Sequence, residues 1–197
     1  TGVQTCALPI YNQNGVLFAP SGYVAGLQVD PIEKKPFYHV LPGANALSFG
    51  MLGCNFKCDF CQNWFSSQTL RDHEAIGTIQ PCPAEVIVET AVRRRAPVVI
   101  STYNEPLITA DWAARVFRQA KQHSLWCGFV SNGFATQEAL GFLRPVMDLL
   151  KIDLKCFTEA GYRRLGGRLK PVLETIEQAL ALGFWVEVVT LVVPGFN

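Results

Sequence analysis

"ALSFGMLGCNFKCDFCQNW", residues 46–64, runs an apolar segment straight into three cysteines spaced C-x-x-x-C-x-x-C. Residues 46–52 read as a buried strand, and the loop after it carries Cys54, Cys58 and Cys61 with no fourth cysteine nearby. The same order, apolar strand and then a polar end, recurs down the chain. Strands are expected over 97–103, 125–131, 146–154 and 184–193, each rich in β-branched and aromatic residues. Between them lie helical patterns at 83–94, 107–123, 136–143 and 172–182. Pro83 and Glu85 suit a helix start, Thr136 suits an N-cap, and Gly183 suits a helix end. In the last helix Val172, Ile176, Ala179 and Leu180 are expected to share the buried face. Continuous apolar strands alternating with helices define an α/β protein with a parallel sheet, here of five strands. Ahead of it, residues 16–29 read as two short strands around a Pro-Ser-Gly turn, followed by a Pro-punctuated connector, "DPIEKKPFYHVLPG".

The polar residues fall at one end of these strands. After the second come Tyr103, Asn104 and Glu105; after the third, Ser131, Asn132 and Gly133; at the fourth, Asp153 and Lys155. In a parallel α/β sheet or barrel the loops at the C-terminal edge converge on ligands. Taken singly, Asn104-Glu105-Pro106 is a helix start, Ser131-Asn132-Gly133 a turn, and Asp153–Lys155 an ion pair on one strand face. Taken together beside three thiols, they point to a site.

Three cysteines leave one thiol unpaired in any disulfide, and the expected compartment is the reducing cytosol. Zinc would need a fourth ligand, for which His73 is a candidate, giving a Cys3His site in an α/β domain that binds a partner. An iron–sulfur cluster fits the donors better: thiolates are its normal ligands, and three of them leave one of a cubane's irons open. Phe56 and Phe60, interleaved with the cysteines, would shield such a cluster from water. Cys82, Cys127 and Cys156 are scattered and read as core or loop filling.

These residues resemble the radical S-adenosylmethionine (SAM) enzymes. "LSFGMLGCNFKCDFCQNW", "STYNEP", "SNGF", "DLKCFTEAGYRRLGG" and "VVPGFN" are similar to the radical SAM enzyme of the AmmeMemoRadiSam system, itself similar to the pyruvate formate-lyase activating enzymes. The resemblance implies a partial (β/α) TIM-like barrel over residues 45–197, truncated after about its fifth core strand, behind an N-terminal β-hairpin and connector at 11–44. It implies that Cys54, Cys58 and Cys61 ligate a [4Fe–4S] cluster whose open iron chelates SAM, with Phe60 beside it. It places Glu105 at the SAM amino group, with Tyr103 and Asn104 standing where the wider family has two glycines. Ser131 and Asn132 match positions near the ribose or carboxylate, and Asp153 and Lys155 match a "DLK" motif near SAM. The implied chemistry is reductive cleavage of SAM to a 5′-deoxyadenosyl radical, which abstracts hydrogen from a protein or small-molecule substrate. Glycyl-radical activation is one form of it, and no acid or base residue is required. A low-potential flavodoxin or ferredoxin would supply the electron.

Composition narrows the remaining classes. Hydrophobic residues make up 49% and charged residues 17%, with a net charge of +1, so no strong field favours nucleic acid or anionic lipid. Arg93-Arg94-Arg95 reads as the solvated end of a helix. No apolar run has the length of a membrane span. The first ten residues, "TGVQTCALPI", match the translation of a common sequencing adapter, so Cys6 is expected to carry no chemistry. Both ends of the chain are expected to be cut.

Overall fold

The computed structural model describes residues 11–72, 74 and 78–197. The adapter-like residues 1–10 and His73 lie outside the described residues. Strands β1 (Tyr11–Gln13) and β2 (Val16–Phe18) form a small antiparallel hairpin. Asn14 and Gly15 at its turn both have positive φ, 54° and 81°. Asn-Gly is the strongest short hairpin signal, because both residues accept left-handed backbone at low cost. The expected pair within 16–29 is therefore displaced. Val16–Phe18 pairs backward with β1, and β3 (Tyr23–Val24) and β4 (Gly26–Pro31) pair elsewhere.

β4 is the antiparallel edge of a six-stranded sheet, hydrogen-bonded to β5 (Asn45–Gly50). Next come α1 (Trp64–Ser67), β6 (Gln80–Pro81, paired with β3), α2 (Ala84–Arg93), β7 (Val98–Ser101) and α3 (Ala110–Gln122). Then follow β8 (Trp126–Ser131), α4 (Gln137–Leu143), β9 (Leu149–Asp153), α5 (Glu159–Arg164), α6 (Leu169–Ala181) and β10 (Trp185–Val189). The sheet order is β10-β9-β8-β7-β5-β4, with β5, β7, β8, β9 and β10 parallel. The five expected core strands are present in sequence order across an open sheet, as in a partial TIM-like barrel.

Period-two alternation divides the strands between two faces. Leu47, Phe49, Val99, Cys127, Phe129, Leu150 and Ile152 point outward, into a core shared with the helices. Ala46, Val98, Ile100 and Leu149 point the other way, and there they meet Ile32, Phe37 and Val40 of the connector. The connector is thus a plug for the inner face. Full burial of each of its three apolar anchors is worth about 1.5–3 kcal/mol. It reaches both edges of the sheet: it continues from β4, and the Tyr38 and His39 N–H groups donate to Glu187 of β10 at 2.8 and 3.2 Å.

α5 and α6 depart from expectation, as do the unexpected α1 and the later start of α3 at Ala110. α6 begins at Leu169, three residues early, because Pro171 is compatible with a first turn. Its buried face is Val172, Thr175 and Ala179, whereas Leu180 is 58% exposed. Thr175 is tolerated inside because its hydroxyl donates to the Pro171 carbonyl at 2.9 Å and accepts from the Ala135 N–H at 3.3 Å. α5 has no apolar stripe long enough to be seen in the sequence. It is set by Thr158, whose hydroxyl accepts from the Gly161 N–H at 3.1 Å. Thr136 caps α4 as expected, accepting from Ala139. Arg93, Arg94 and Arg95 are all exposed at the end of α2. No helix among the described residues is long and apolar enough to cross a membrane.

Candidate functional site

The loop after β5 is held from several sides before any ligand is considered. Gly53 turns the chain at φ 95°, its N–H donates to Ser66 O at 2.8 Å, and its carbonyl accepts from Glu105 N at 3.3 Å. Asn104 Oδ1 accepts the Met51 N–H at 3.0 Å, and the Lys57 N–H reaches Leu165 O at 2.9 Å. The Phe56 carbonyl accepts from Arg71 at 2.8 Å and from Gln68 at 3.2 Å. Under the loop the Phe56 ring is buried against Phe134 and Tyr162, at centroid distances of 5.6 and 6.0 Å. A Cβ on Gly167 would lie 2.4 Å from that ring. Gly167→Ala is therefore expected to push Phe56 into the loop and destabilise the fold by about 1–3 kcal/mol. A urea midpoint equal to that of the unmodified chain would refute this.

The loop borders a cavity of about 450 Å³ at the C-terminal edge of the sheet. Cys54, Cys58, Phe60 and Cys61 line one side of it. Asn104, Glu105, Ser131, Asn132, Asp153 and Lys155 line the rest, so these residues, far apart in the sequence, meet in one place. Their roles differ. Glu105 is 2% exposed, and its carboxylate accepts from the Ser131 hydroxyl at 2.7 Å, the Asn132 N–H at 2.8 Å and the Leu107 N–H at 3.0 Å. Burial pushes its carboxyl up from the ordinary value, and those three donors pull it back. Of about four lone-pair sites on a carboxylate, one stays free. Ser131 is consumed in holding Glu105 and in accepting from Gly133 N at 3.0 Å. Asn132 ties β8 to the cysteine loop: its amide donates to Asn55 Oδ1 at 2.6 Å and points at Cys54 Sγ at 4.0 Å. Asp153 bonds Lys151 through one oxygen and Lys155 through the other, the latter at 2.7 Å.

Tyr103 occupies a left-handed conformation, φ 73°, that favours glycine. The position is over-determined by its surroundings. A Cβ on Gly50 would lie 2.4 Å from Thr102 O and 2.9 Å from the Tyr103 side chain, so the strand is bare where the ring lies over it. The phenol bonds Ser48 Oγ at 2.7 Å and accepts from Lys35 at 2.9 Å. This is how a tyrosine is held in a backbone conformation that glycine ordinarily takes.

The sequence reading named Tyr103 at this edge and passed over Lys151 and Lys35 as cavity residues. Lys151 had a legible signal, since Lys151, Asp153 and Lys155 alternate on one strand face. Lys35 had none, because a connector has no period from which to read an inward direction.

The donor set is three soft sulfurs, which suits iron–sulfur ligation. Burial pushes Cys54 up to about 12 and Cys58 up to about 11. Lys155 pulls Cys58 the other way. Both thiols thus stay protonated until a metal displaces the proton. The N–H of Phe56 at 3.4 Å from Cys54 Sγ and the hydroxyl of Ser67 at 3.1 Å from Cys61 Sγ are hydrogen bonds of the kind that tune a cluster. Among the described residues no three His, Cys, Asp or Glu side chains are grouped closely enough to hold a metal ion. A cubane asks for something different, thiolates at separate corners around one space, and the three sulfurs here border one space. The residues fit the group.

A parallel partial barrel with a three-thiol loop at the C-terminal end of its first parallel strand defines a class of cofactor-binding α/β proteins. The chain belongs to the Radical SAM superfamily, whose family pattern it matches over residues 49–197. It is 38% identical over 187 residues to an uncharacterized protein, MJ0808, of Methanocaldococcus jannaschii, covering 94% of this chain and 55% of that protein. The chain therefore spans about half the length of that relative. Among solved structures it is similar to TYW1 with a lysine–pyruvate adduct bound, at a TM-score of 0.52 and 17% identity, covering 77% of this chain and 57% of that one. QueE from Escherichia coli aligns at a TM-score of 0.47 and 12% identity, over 84% of this chain and 81% of that one.

Proposed function

We propose that this chain is the core of an enzyme that holds a [4Fe–4S] cluster through Cys54, Cys58 and Cys61 and binds SAM in the adjoining cavity. The observation that carries this is the meeting of three thiols, the free edge of Glu105 and the Asp153–Lys155 pair around one space. When bound, the cluster and SAM supply one-electron cleavage of SAM and hydrogen abstraction from a substrate. The protein's part is to bind, orient and exclude water. Glu105 is held rigid by Ser131 and Asn132 with one lone pair left for a cationic amine. Asp153 and Lys155 offer both charge signs for the hydroxyls or carboxylate of SAM. Phe56 and Phe60 dry the cluster side, Phe60 lying 5.1 Å from the Phe196 ring. The electron donor in this reading is a low-potential flavodoxin or ferredoxin. The motifs from "DPIEKKPFYH" to "VVPGFN" support membership of the AmmeMemoRadiSam group, and with it a protein or small-molecule substrate, glycyl-radical activation included.

The test is anaerobic reconstitution with iron and sulfide, then EPR of the reduced protein with and without SAM. A [4Fe–4S]⁺ signal that changes on adding SAM is the expected result. A colourless protein that takes up zinc instead would sink this reading and favour the zinc-stabilised partner-binding domain.

A further inference from the structure

Below the residues that face the cysteine loop, the inner face of the sheet carries charge that SAM binding does not call for. Lys151 precedes Asp153 by two residues on β9, which sets it about 7 Å deeper in the barrel. It is 3% exposed and lines the cavity. Its one hydrogen-bonding partner among the described residues is Asp153, which it shares with Lys155. Glu187, its register neighbour on β10, does not serve it: that carboxylate accepts from the Tyr38 and His39 N–H groups and from Trp185 Nε1 at 3.1 Å. Lys35 reaches the same cavity from the connector at 5% exposure. It donates to Asp30 at 3.0 Å and to Tyr103 at 2.9 Å. An ammonium has three donors. Among the described residues, two on Lys151 and one on Lys35 are left without a protein acceptor, at a wall nearly closed to bulk water.

Charge counting agrees. The cavity lining holds Lys34, Lys35, Lys151 and Lys155 against Glu105 and Asp153, with Asp30 just outside the lining paired to Lys34 and Lys35 at 3.0 Å, four cations to three anions. Burial, followed by the like charge of Lys155, pushes Lys151 down to about 7. A buried cation without full compensation is costly, and an anion brought beside it removes that cost.

We infer that Lys151 and Lys35 form a subsite for an oxyanionic group of the substrate, a carboxylate or a phosphate. That the group belongs to a substrate rests on the radical SAM reading; that the subsite takes an oxyanion rests on the two lysines alone. The donors would make charge-assisted hydrogen bonds to the anion, which fix its orientation as well as add affinity. One end of the substrate would thus be anchored in the barrel interior while the rest extends toward the cysteine loop.

The test titrates inorganic phosphate and, separately, acetate into the full chain, with and without a reconstituted cluster, followed by calorimetry. Lys151→Met removes the donors while Asp153 keeps Lys155, and Lys35→Gln is the second variant. Saturable binding is expected, weakened about tenfold or more by Lys151→Met and measurably by Lys35→Gln, and unchanged when SAM is present. Preference for phosphate assigns a phosphorylated substrate; preference for acetate assigns a carboxylate. Absence of binding by either probe, equal binding by Lys151→Met with an intact melting transition, or displacement of the probe by SAM each overturns the subsite. Probe binding without cluster formation supports the subsite and sinks the radical SAM reading. A SAM-responsive EPR signal without probe binding does the reverse.

Discussion

Cys58→Ala is expected to reduce iron uptake to background and to remove SAM cleavage altogether, with the fold retained. The thiol is half-buried beside the cavity and packs only against the margin of the apolar core, so its loss removes the sulfur at a small packing cost. Two thiolates cannot hold three corners of a cubane, so the effect is all-or-none. Cys127→Ala supplies the contrast. That thiol is buried in the outer core, where burial pushes it up to about 12, and its replacement should leave iron uptake intact at a modest cost in stability. The measurement is iron and sulfide content per chain after anaerobic reconstitution, with far-UV circular dichroism as the fold check. Full iron content in Cys58→Ala, or loss of iron in Cys127→Ala, would remove the ligand assignment.

Glu105→Ala is expected to lower stability by about 3 kcal/mol or more, because three donors lose their acceptor at once in a buried place. The Ser131 hydroxyl can turn away, but the Asn132 and Leu107 N–H groups are fixed by the backbone. For a chain of this size that loss lowers the melting temperature by roughly 6–12 °C. Glu105→Gln keeps an acceptor for part of the set and should cost less, while removing the charge offered to a cationic amine. Chemical denaturation of the cluster-free chain separates the structural share from the ligand-binding share. SAM binding by the reconstituted Gln variant then reads the second. An alanine variant with the parent's midpoint would mean that Glu105 is not the clasp between β7 and β8.

The site was more legible than the fold around it, for a local reason. Cysteine spacing, Asn104-Glu105, Ser131-Asn132 and Asp153-Lys155 are short-range patterns, and each sits at the end of an apolar strand whose direction is known once the sheet is parallel. What the residues do there was not legible. Ser131 and Asn132 read as SAM neighbours by resemblance, yet their hydrogen bonds go first to Glu105 and to the cysteine loop. Asn104 likewise spends its side-chain oxygen on Met51. A polar side chain shows its type in sequence, but its partner is chosen by residues 26 to 78 positions away.

By itself, the sequence determined the class of sheet, its five parallel strands, the edge at which the polar residues gather, and the loop that carries the three thiols. These follow from apolar runs, chain direction and spacing, all of which act over a few residues. Tertiary structure alone decided that β4 pairs with β5, that the connector plugs the inner face with Ile32, Phe37 and Val40, and that Leu180 is left outside while Thr175 is taken in. It alone decided that Lys35 and Lys151 face one cavity. The physical reason is the same in each case. Burial is a property of what packs opposite, and for these residues the opposite wall is brought there by the curvature of the sheet and the path of the connector.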